Sequence, residues 1–372
     1  ACLVGSEMCI RDRILNLPFD NNYGGNLQRY ALARVLWEMG HDVKHINLRN
    51  SYCLPFYKKP YCYAKRLLMK LLGSKSSIFL EQERKREDER MEINAQKFYE
   101  RYVSHTRAVY GVKEIGQVCR ENKFQAVVVG SDQVWRNGMV KGVLGLNNYM
   151  LGFIHDEHIK KIAYAVSLGT EQRLGSAQVQ RYSKFYNKFS AVSVRESQSV
   201  ALFDEYGWTE PRAQHVLDPV FLLKKEDYVT LTEKETVEHA AKNRIFCYIL
   251  DTNKRIEDII RCKERELESA SVTVGLKDTE KVSVEQWLYN IYTCRLMITD
   301  SFHGVAFSIL FNKPFVFCGN EKRGNIRLRS LYKMFMIDSE QTEHLDWQAI
   351  NRKIEQFRRV SEDFLNHSLR AE

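Results

Sequence analysis

Three kinds of side chain in this sequence could do chemistry together: an imidazole, several guanidiniums and a few carboxylates, each placed where the chain leaves an apolar run. The clearest is His303. It lies in Thr299-Asp300-Ser301-Phe302-His303-Gly304, after apolar Leu296–Ile298 and before Val305–Phe311, which ends in Asn312-Lys313-Pro314. The pattern reads as buried strand, tight turn, short buried helix and stop, with Ser301 as N-cap. A helix N-terminus offers amide hydrogens to an anion, and a histidine beside it can move protons near neutral pH. His303 is therefore the expected catalytic residue. The plainer alternative is a neutral histidine capping its own turn.

Arg195 follows Ala191–Val194, at the end of another expected strand, where a guanidinium suits a carboxylate or phosphate through paired hydrogen bonds. A structural pair with Glu196 is the alternative. Arg323, Arg327 and Arg329 form a second basic cluster, facing the same crevice or merely solvated. In Gly130-Ser131-Asp132-Gln133-Val134-Trp135, Asp132 and Gln133 could bond sugar hydroxyls while Trp135 packs on a sugar ring. Equally, Asp132 caps the next helix and Trp135 is core. Asn22-Tyr23-Gly24-Gly25-Asn26 offers close backbone approach before a helix, but lacks both GxGxxG spacing and a Walker lysine. A glycine turn packing a helix on a sheet is its simpler reading. The pairs His41/His45 and His155/His158 lack a third ligand, so no metal is expected.

These turns need a scaffold. Apolar strands alternate with amphipathic helices, the signature of an α/β chain with mostly parallel sheets. Strands are expected at 14–17, 43–48, 125–129, 161–168, 191–195, 245–250, 271–275, 296–299 and 314–318, and helices at 26–39, 81–102 and 197–206. In open α/β sheets ligands collect beyond the carboxyl ends of strands. Asn22–Asn26, Gly130–Asp132, Gly169 and Ser301–Gly304 should then share a crevice. A length of 372 residues implies two domains. Their expected limits are 13–224, with a basic helical insertion near 50–102, and 225–340, followed by C-terminal helices over 341–372. Residues 1–12 resemble translated sequencing adaptor and are set aside as non-native; the first natural strand would then survive only as Ile14–Leu17.

Hydrophobic content of 44% and charged content of 28% describe an ordinary globular chain. No run of about 18 apolar residues is present, so no spanning helix is expected. The nine cysteines are scattered without a CxxC pair, which suggests free thiols in a reducing, cytoplasmic compartment. Net charge is +9, and eight cations fall between Val43 and Leu80, where there is no acid. A solvated helix between core elements is the favoured reading of that segment. The sharper one is peripheral contact with anionic lipid at the inner membrane face. No nucleic-acid motif accompanies the charge, so nucleic acid is not an expected partner.

Taken in order, Asn22–Gln28, Val129–Trp135, Ala163–Gly169, Ser193–Glu196, Leu217-Asp218-Pro219 and Thr299–Gly304 resemble the polysaccharide pyruvyl transferase family over roughly residues 14–335. The resemblance implies two Rossmann-like domains facing a cleft in a GT-B-like arrangement. It implies phosphoenolpyruvate as donor co-substrate, with no other cofactor, and a cell-surface glycan or lipid-linked oligosaccharide as acceptor. His303 would be the acid–base. Arg195, Ser301, Gly304, Arg323 and Arg327 would hold the donor, while Asn22, Gly24, Gly25, Asn26, Asp132, Gln133 and Trp135 would face the acceptor. Some family members have Arg-Leu-His where this chain has Ser301-Phe302-His303, which shifts donor binding toward Arg195. The rival readings are a nucleotide-sugar glycosyltransferase of the same fold and a non-catalytic glycan-binding protein.

Overall fold

A computed structural model describes residues 11–75, 77–121, 124–140, 144–169, 173–233, 238, 240–275, 282–319 and 326–370. The first sheet contains β1 (Arg11–Leu15), β2 (Asp42–His45), β3 (Ala126–Gly130), β4 (Lys160–Val166), β5 (Ala191–Val194) and β6 (Gln214–His215), in the order β2-β1-β3-β4-β5-β6. The second contains β7 (Ile245–Ile249), β8 (Ser271–Gly275), β9 (Leu296–Thr299) and β10 (Phe315–Phe317), in the order β10-β9-β7-β8. Every pairing in both sheets is parallel. β3 and β7 are buried along their whole length, which explains their unbroken runs of Val, Ile and aromatic residues.

Strand order fixes where a site can form. The first sheet reverses direction between β1 and β3, the second between β7 and β9. At such a reversal the connections leave to opposite sides and open a crevice at the carboxyl ends. Asp132 follows β3, and Ser301 and His303 follow β9. The two sheets thus aim their crevices with the residues singled out above.

The helix Tyr23–Glu38 joins the halves. The sequence pattern places its start at Asn26; it begins earlier because the Asn22 side chain accepts a hydrogen bond from Gly25 N at 3.2 Å. Gly40, at φ +92°, ends it. Most of this helix is buried, since one side covers the first sheet and the other meets the second domain. Tyr23 stacks on Trp287 at 5.3 Å and donates to the Val282 carbonyl at 2.9 Å. Tyr30 and Phe307 both lie against Tyr228, extending the shared aromatic core.

The tail forms one long helix, Trp347–Leu369, capped by Asp346. It returns to the first sheet instead of extending the second domain. Ser361 accepts from Leu217 N at 3.0 Å, and Arg358 Nε donates to the Phe221 carbonyl at 2.8 Å. The first domain is therefore closed by the end of the chain.

Arg11 and Asp12, set aside above with the first twelve residues, belong to β1. Ladder hydrogen bonds are made by the backbone, so an unsuitable side chain does not prevent pairing with β2 and β3. Asp12 and Arg13 are buried beside Ala126 and Val127, and burial pulls the Arg13 guanidinium below its usual pKa. The Arg13 head group donates to the Asp12 carbonyl at 2.7 Å, and Asp12 lies 2.6 Å from His41. Replacing buried ionic groups by apolar ones of fitting volume is often stabilising, by about 1–4 kcal/mol. The double variant Asp12→Val/Arg13→Val should accordingly melt at a higher temperature than the parent. A lower melting temperature would mean that these charges support β1.

Candidate functional site

The turn after β9 is built by its own hydroxyls. Thr299 Oγ1 donates to the Tyr248 carbonyl at 2.7 Å and accepts from Ser301 N at 3.0 Å. Ser301 then caps the helix Phe302–Leu310 by accepting from Gly304 N at 3.4 Å. A β-carbon on Gly304 would overlap Thr299, so the glycine lets the turn close. Asp300 points backward and accepts from Leu250 N at 2.7 Å and Asp251 N at 3.0 Å, tying β9 to the end of β7. The amides of Ser301 and Gly304, expected to assist an anion, are thus already engaged. Those of Phe302 and His303 are the first-turn amides for which the helix itself has no carbonyl.

His303 is buried, and its ring rests on Gly24 from the first domain. A β-carbon at position 24 would overlap the imidazole. This contact explains the first glycine of the Asn22–Asn26 loop better than sugar binding does. The rest of the loop is turned inward: Asn22 caps the helix, while Asn26 donates to the carbonyls of Asp20 and Asn22, each at 3.0 Å, and accepts from Arg29. Gly25 packs over Asn22 and Arg29.

The centre of the cluster is Asp218. Its Oδ2 accepts from Gln28 Nε2 at 2.7 Å and from Arg195 Nη1, with Ser131 Oγ at 3.5 Å. Its Oδ1 accepts from Val220 N at 3.1 Å. His303 Nε2 stands 4.0 Å from Asp218 Oδ2. Asp132 adopts a positive φ of 65°, which turns the chain after β3. Its Oδ1 lies 3.7 Å from Arg195 and 3.8 Å from Arg327, and both guanidiniums face the Phe302 ring, at 4.7 and 5.4 Å. Glu196 accepts from Ser167 Oγ and flanks Arg195 on its other side.

These distances decide the charges. Burial works against the Asp132 carboxylate, but Arg195, Arg327 and His303 outweigh it and hold its pKa below the usual value. Burial likewise opposes the Arg195 charge, and Asp218, Glu196 and Asp132 overcome it. Arg327 is pushed down to about 10, by burial and by the like charge of Arg195. Burial raises Glu196. His303 is lowered to about 4, chiefly by burial, with Asp218 and Asp132 resisting. It is neutral at pH 7, so its approach to Asp218 is not an ion pair there. Three buried donor or acceptor atoms, Arg195 Nε, Arg195 Nη2 and His303 Nε2, lack a hydrogen-bond partner among the described residues. Such atoms are uncommon in a folded interior and ask for an explanation, a ligand being one.

The expected site divides accordingly. His303, Arg195, Arg327 and Asp132 come together, whereas Arg323 lies outside the described residues. Gln133 is buried against Gly169, and its carbonyl accepts from Arg136 at 2.7 Å. Trp135 is corrected outright. Its ring is buried among Tyr186, Phe189 and Phe203, and its Nε1 donates to the Tyr149 carbonyl at 3.1 Å, so no ring face is open to a sugar. Asp218 and Gln28 join the site although the sequence pattern assigns them no role in it. Both lie in motifs that carry the family resemblance, and Asp218 is also an acid directly before Pro219, where it caps the following turn. Among the described residues no group of three or more His, Cys, Asp or Glu side chains is placed to hold a metal ion.

The sequence profile of polysaccharide pyruvyl transferases matches residues 22–322. The chain belongs to that family. No curated protein sequence matches it. Among solved structures, a UDP-N-acetylglucosamine 2-epimerase described from Listeria monocytogenes aligns at 9% identity and TM-score 0.50, covering 93% of this chain and 95% of that one. The S. aureus MnaA–UDP structure aligns at 11% identity and TM-score 0.49, covering 97% and 96%. Anabaena Alr3699/HepE, in complex with UDP and glucose, aligns at 10% identity and TM-score 0.44, covering 97% and 99%. At such identities the likeness concerns the fold alone, which is of GT-B type.

Two outcomes test the geometry. Gly24→Ala should displace the His303 ring, lower stability by about 1–3 kcal/mol as overpacking does, and abolish whatever activity depends on that ring; an unaltered melting temperature would contradict the contact. Separately, an unfolded imidazole takes up a proton below about pH 6.5, whereas His303 in the fold does so only near 4. The unfolded state then binds more protons in that window, so His303 withdraws stability as pH falls, by about 2 kcal/mol between pH 7 and 5. His303→Gln should show a correspondingly smaller drop in chemical-denaturation stability over that interval. An equal drop would place the His303 pKa near its ordinary value.

Proposed function

We propose that the protein transfers a pyruvyl group from phosphoenolpyruvate to two hydroxyls of one sugar in a cell-surface polysaccharide or its lipid-linked precursor, forming a cyclic ketal. The observation that carries this reading is the meeting of His303 from the second domain with Asp218, Arg195 and Asp132 from the first, around buried atoms that lack a hydrogen-bond partner among the described residues. Family membership supports pyruvyl transfer in general. The donor and the ketal are the proposed part, for which two guanidiniums and an imidazole in one cluster are the support.

Phosphoenolpyruvate resists nucleophiles until its methylene carbon is protonated. Protonation makes that carbon a methyl group and leaves an oxocarbenium-like centre next to the carboxylate. One sugar hydroxyl adds there and loses its proton. The C–O bond to phosphate then breaks, and a second hydroxyl closes the ketal as its proton leaves. One hydroxyl proton balances the proton delivered to carbon, and the other departs with inorganic phosphate.

The residues divide this work. Arg195 and Arg327 supply two positive groups for the donor's carboxylate and phosphate. Arg195 Nη2 lies 3.7 Å from Asp132, longer than a hydrogen bond, so a donor oxygen can engage that group while Nη1 stays on Asp218. A bound anion raises the proton affinity of His303, as any nearby negative charge does, so the ring takes up a proton and acts first as an acid toward the methylene carbon. The neutral ring that this leaves is then the base that takes the proton of the attacking hydroxyl. Asp132 orients an acceptor hydroxyl. His303, Arg195 and Arg327 are buried and Asp132 is half-buried, so the substrates gain access when the two domains part.

The test measures phosphate release from phosphoenolpyruvate against a panel of glycan fragments, with mass spectrometry of the acceptor. His303→Ala should reduce turnover about 10²–10⁴-fold, the usual contribution of a general acid–base. Turnover equal to wild type would remove His303 from the mechanism. Nucleotide release from a nucleotide sugar, with no phosphate from phosphoenolpyruvate, would favour a glycosyltransferase instead.

A further inference from the structure

The helix Lys59–Leu71, with the short turn Phe56–Lys58 before it, has no buried residue. It has an inner side nonetheless. Arg66 donates to both oxygens of Glu81, each at 2.6 Å, and to the Ile78 carbonyl at 3.1 Å. Tyr63 lies 5.6 Å from Phe79. These contacts clamp one face to the start of the helix Leu80–Tyr102. At 100° per residue the opposite face carries Tyr57, Tyr61, Ala64, Leu68, Leu71 and Leu72, all exposed; Leu71 is 77% exposed and Leu72 74%. Lys58 and Lys65 border this stripe along one edge.

An outward stripe of leucine and tyrosine on a fixed helix is an interaction surface, since single exposed apolar residues are ordinary but a contiguous row is not. Three partners compete for it. Nucleic acid would engage the lysines and leave the leucines in water. A second copy meeting this one through a two-fold axis would bring like charges together, because no acid lies between Val43 and Leu80. A bilayer with anionic head groups satisfies both halves: the stripe enters the acyl boundary while the lysines reach the head groups on their flexible stems. We propose that this helix lies in the plane of an anionic membrane surface and docks the protein there. The proposal stands apart from the chemistry of the buried site. No described helix is long and apolar enough to cross a membrane, so the contact is peripheral to that extent.

The experiment is sedimentation of the full chain with vesicles of phosphatidylcholine alone, or with phosphatidylglycerol added, at low and high salt. Leu68→Glu/Leu71→Glu and Lys58→Glu/Lys65→Glu are compared with wild type, with circular dichroism to confirm folding. Wild type should pellet with the phosphatidylglycerol vesicles and be released by salt, and each double variant should bind about tenfold more weakly or less. Equal recovery on both vesicle types, or undiminished binding by both variants, overturns the proposal. So does light scattering that shows a wild-type dimer dissociated by Leu68→Glu/Leu71→Glu without vesicle binding. Phosphate release with a water-soluble acceptor should be unchanged in both variants, which separates this outcome from any failure of the catalytic reading.

Discussion

The Asp218 carboxylate holds the functional arrangement together. It gathers Gln28 from the bridging helix, the Ser131 hydroxyl after β3, Arg195 after β5 and its own downstream amide at Val220. A guanidinium this deeply buried is tolerable only beside a compensating charge with good geometry. Arg195 owes its place to Asp218 more than to any other group, and the orientation of Arg195 in turn sets the distances to Asp132 and Phe302. The charge network therefore starts from a residue that need not touch substrate.

The same constraint explains why the two domains cannot be treated separately. Gly24 belongs to the first and His303 to the second, yet the ring needs the missing side chain for its space. Tyr23, the residue before, stacks on Trp287 across the same boundary. One turn of helix thus fixes both the domain contact and the imidazole. Any parting of the domains that admits a substrate also unseats His303 from Gly24 and exposes it to water. Its pKa would then rise toward the ordinary value, because burial is the main cause of the depression.

Much of the scaffold was legible because its signals are local. Strand runs such as Ala126–Val129 and Leu296–Thr299 are buried on both faces, and the hydroxyl cap at Ser301 is a short-range feature. The helix at Tyr23 was read too short because a two-glycine first turn weakens helix propensity, and only tertiary packing restores it. The site was less legible. Trp135 could stack on a sugar or fill a core, since both roles ask for the same large aromatic after a strand, and only its neighbours decide. Asp218 belonged to a motif, Leu217-Asp218-Pro219, but nothing in its spacing showed that it would gather Arg195 and Gln28. Arg327 sits far along the chain from Asp132 and Arg195, and nothing in the spacing of arginines shows which one folds inward.

His303 marks the limit most clearly. Its place at a helix N-terminus was readable, and a near-neutral acid–base was the natural expectation there. Burial reverses part of that expectation by disfavouring the protonated ring. The same burial strengthens each nearby charge interaction, because the surroundings respond weakly to charge. A trianionic three-carbon ligand would therefore act on this imidazole far more strongly than it could on an exposed one. The low proton affinity of the free site and its responsiveness to an arriving anion share one physical origin, and an imidazole on the open surface would possess neither.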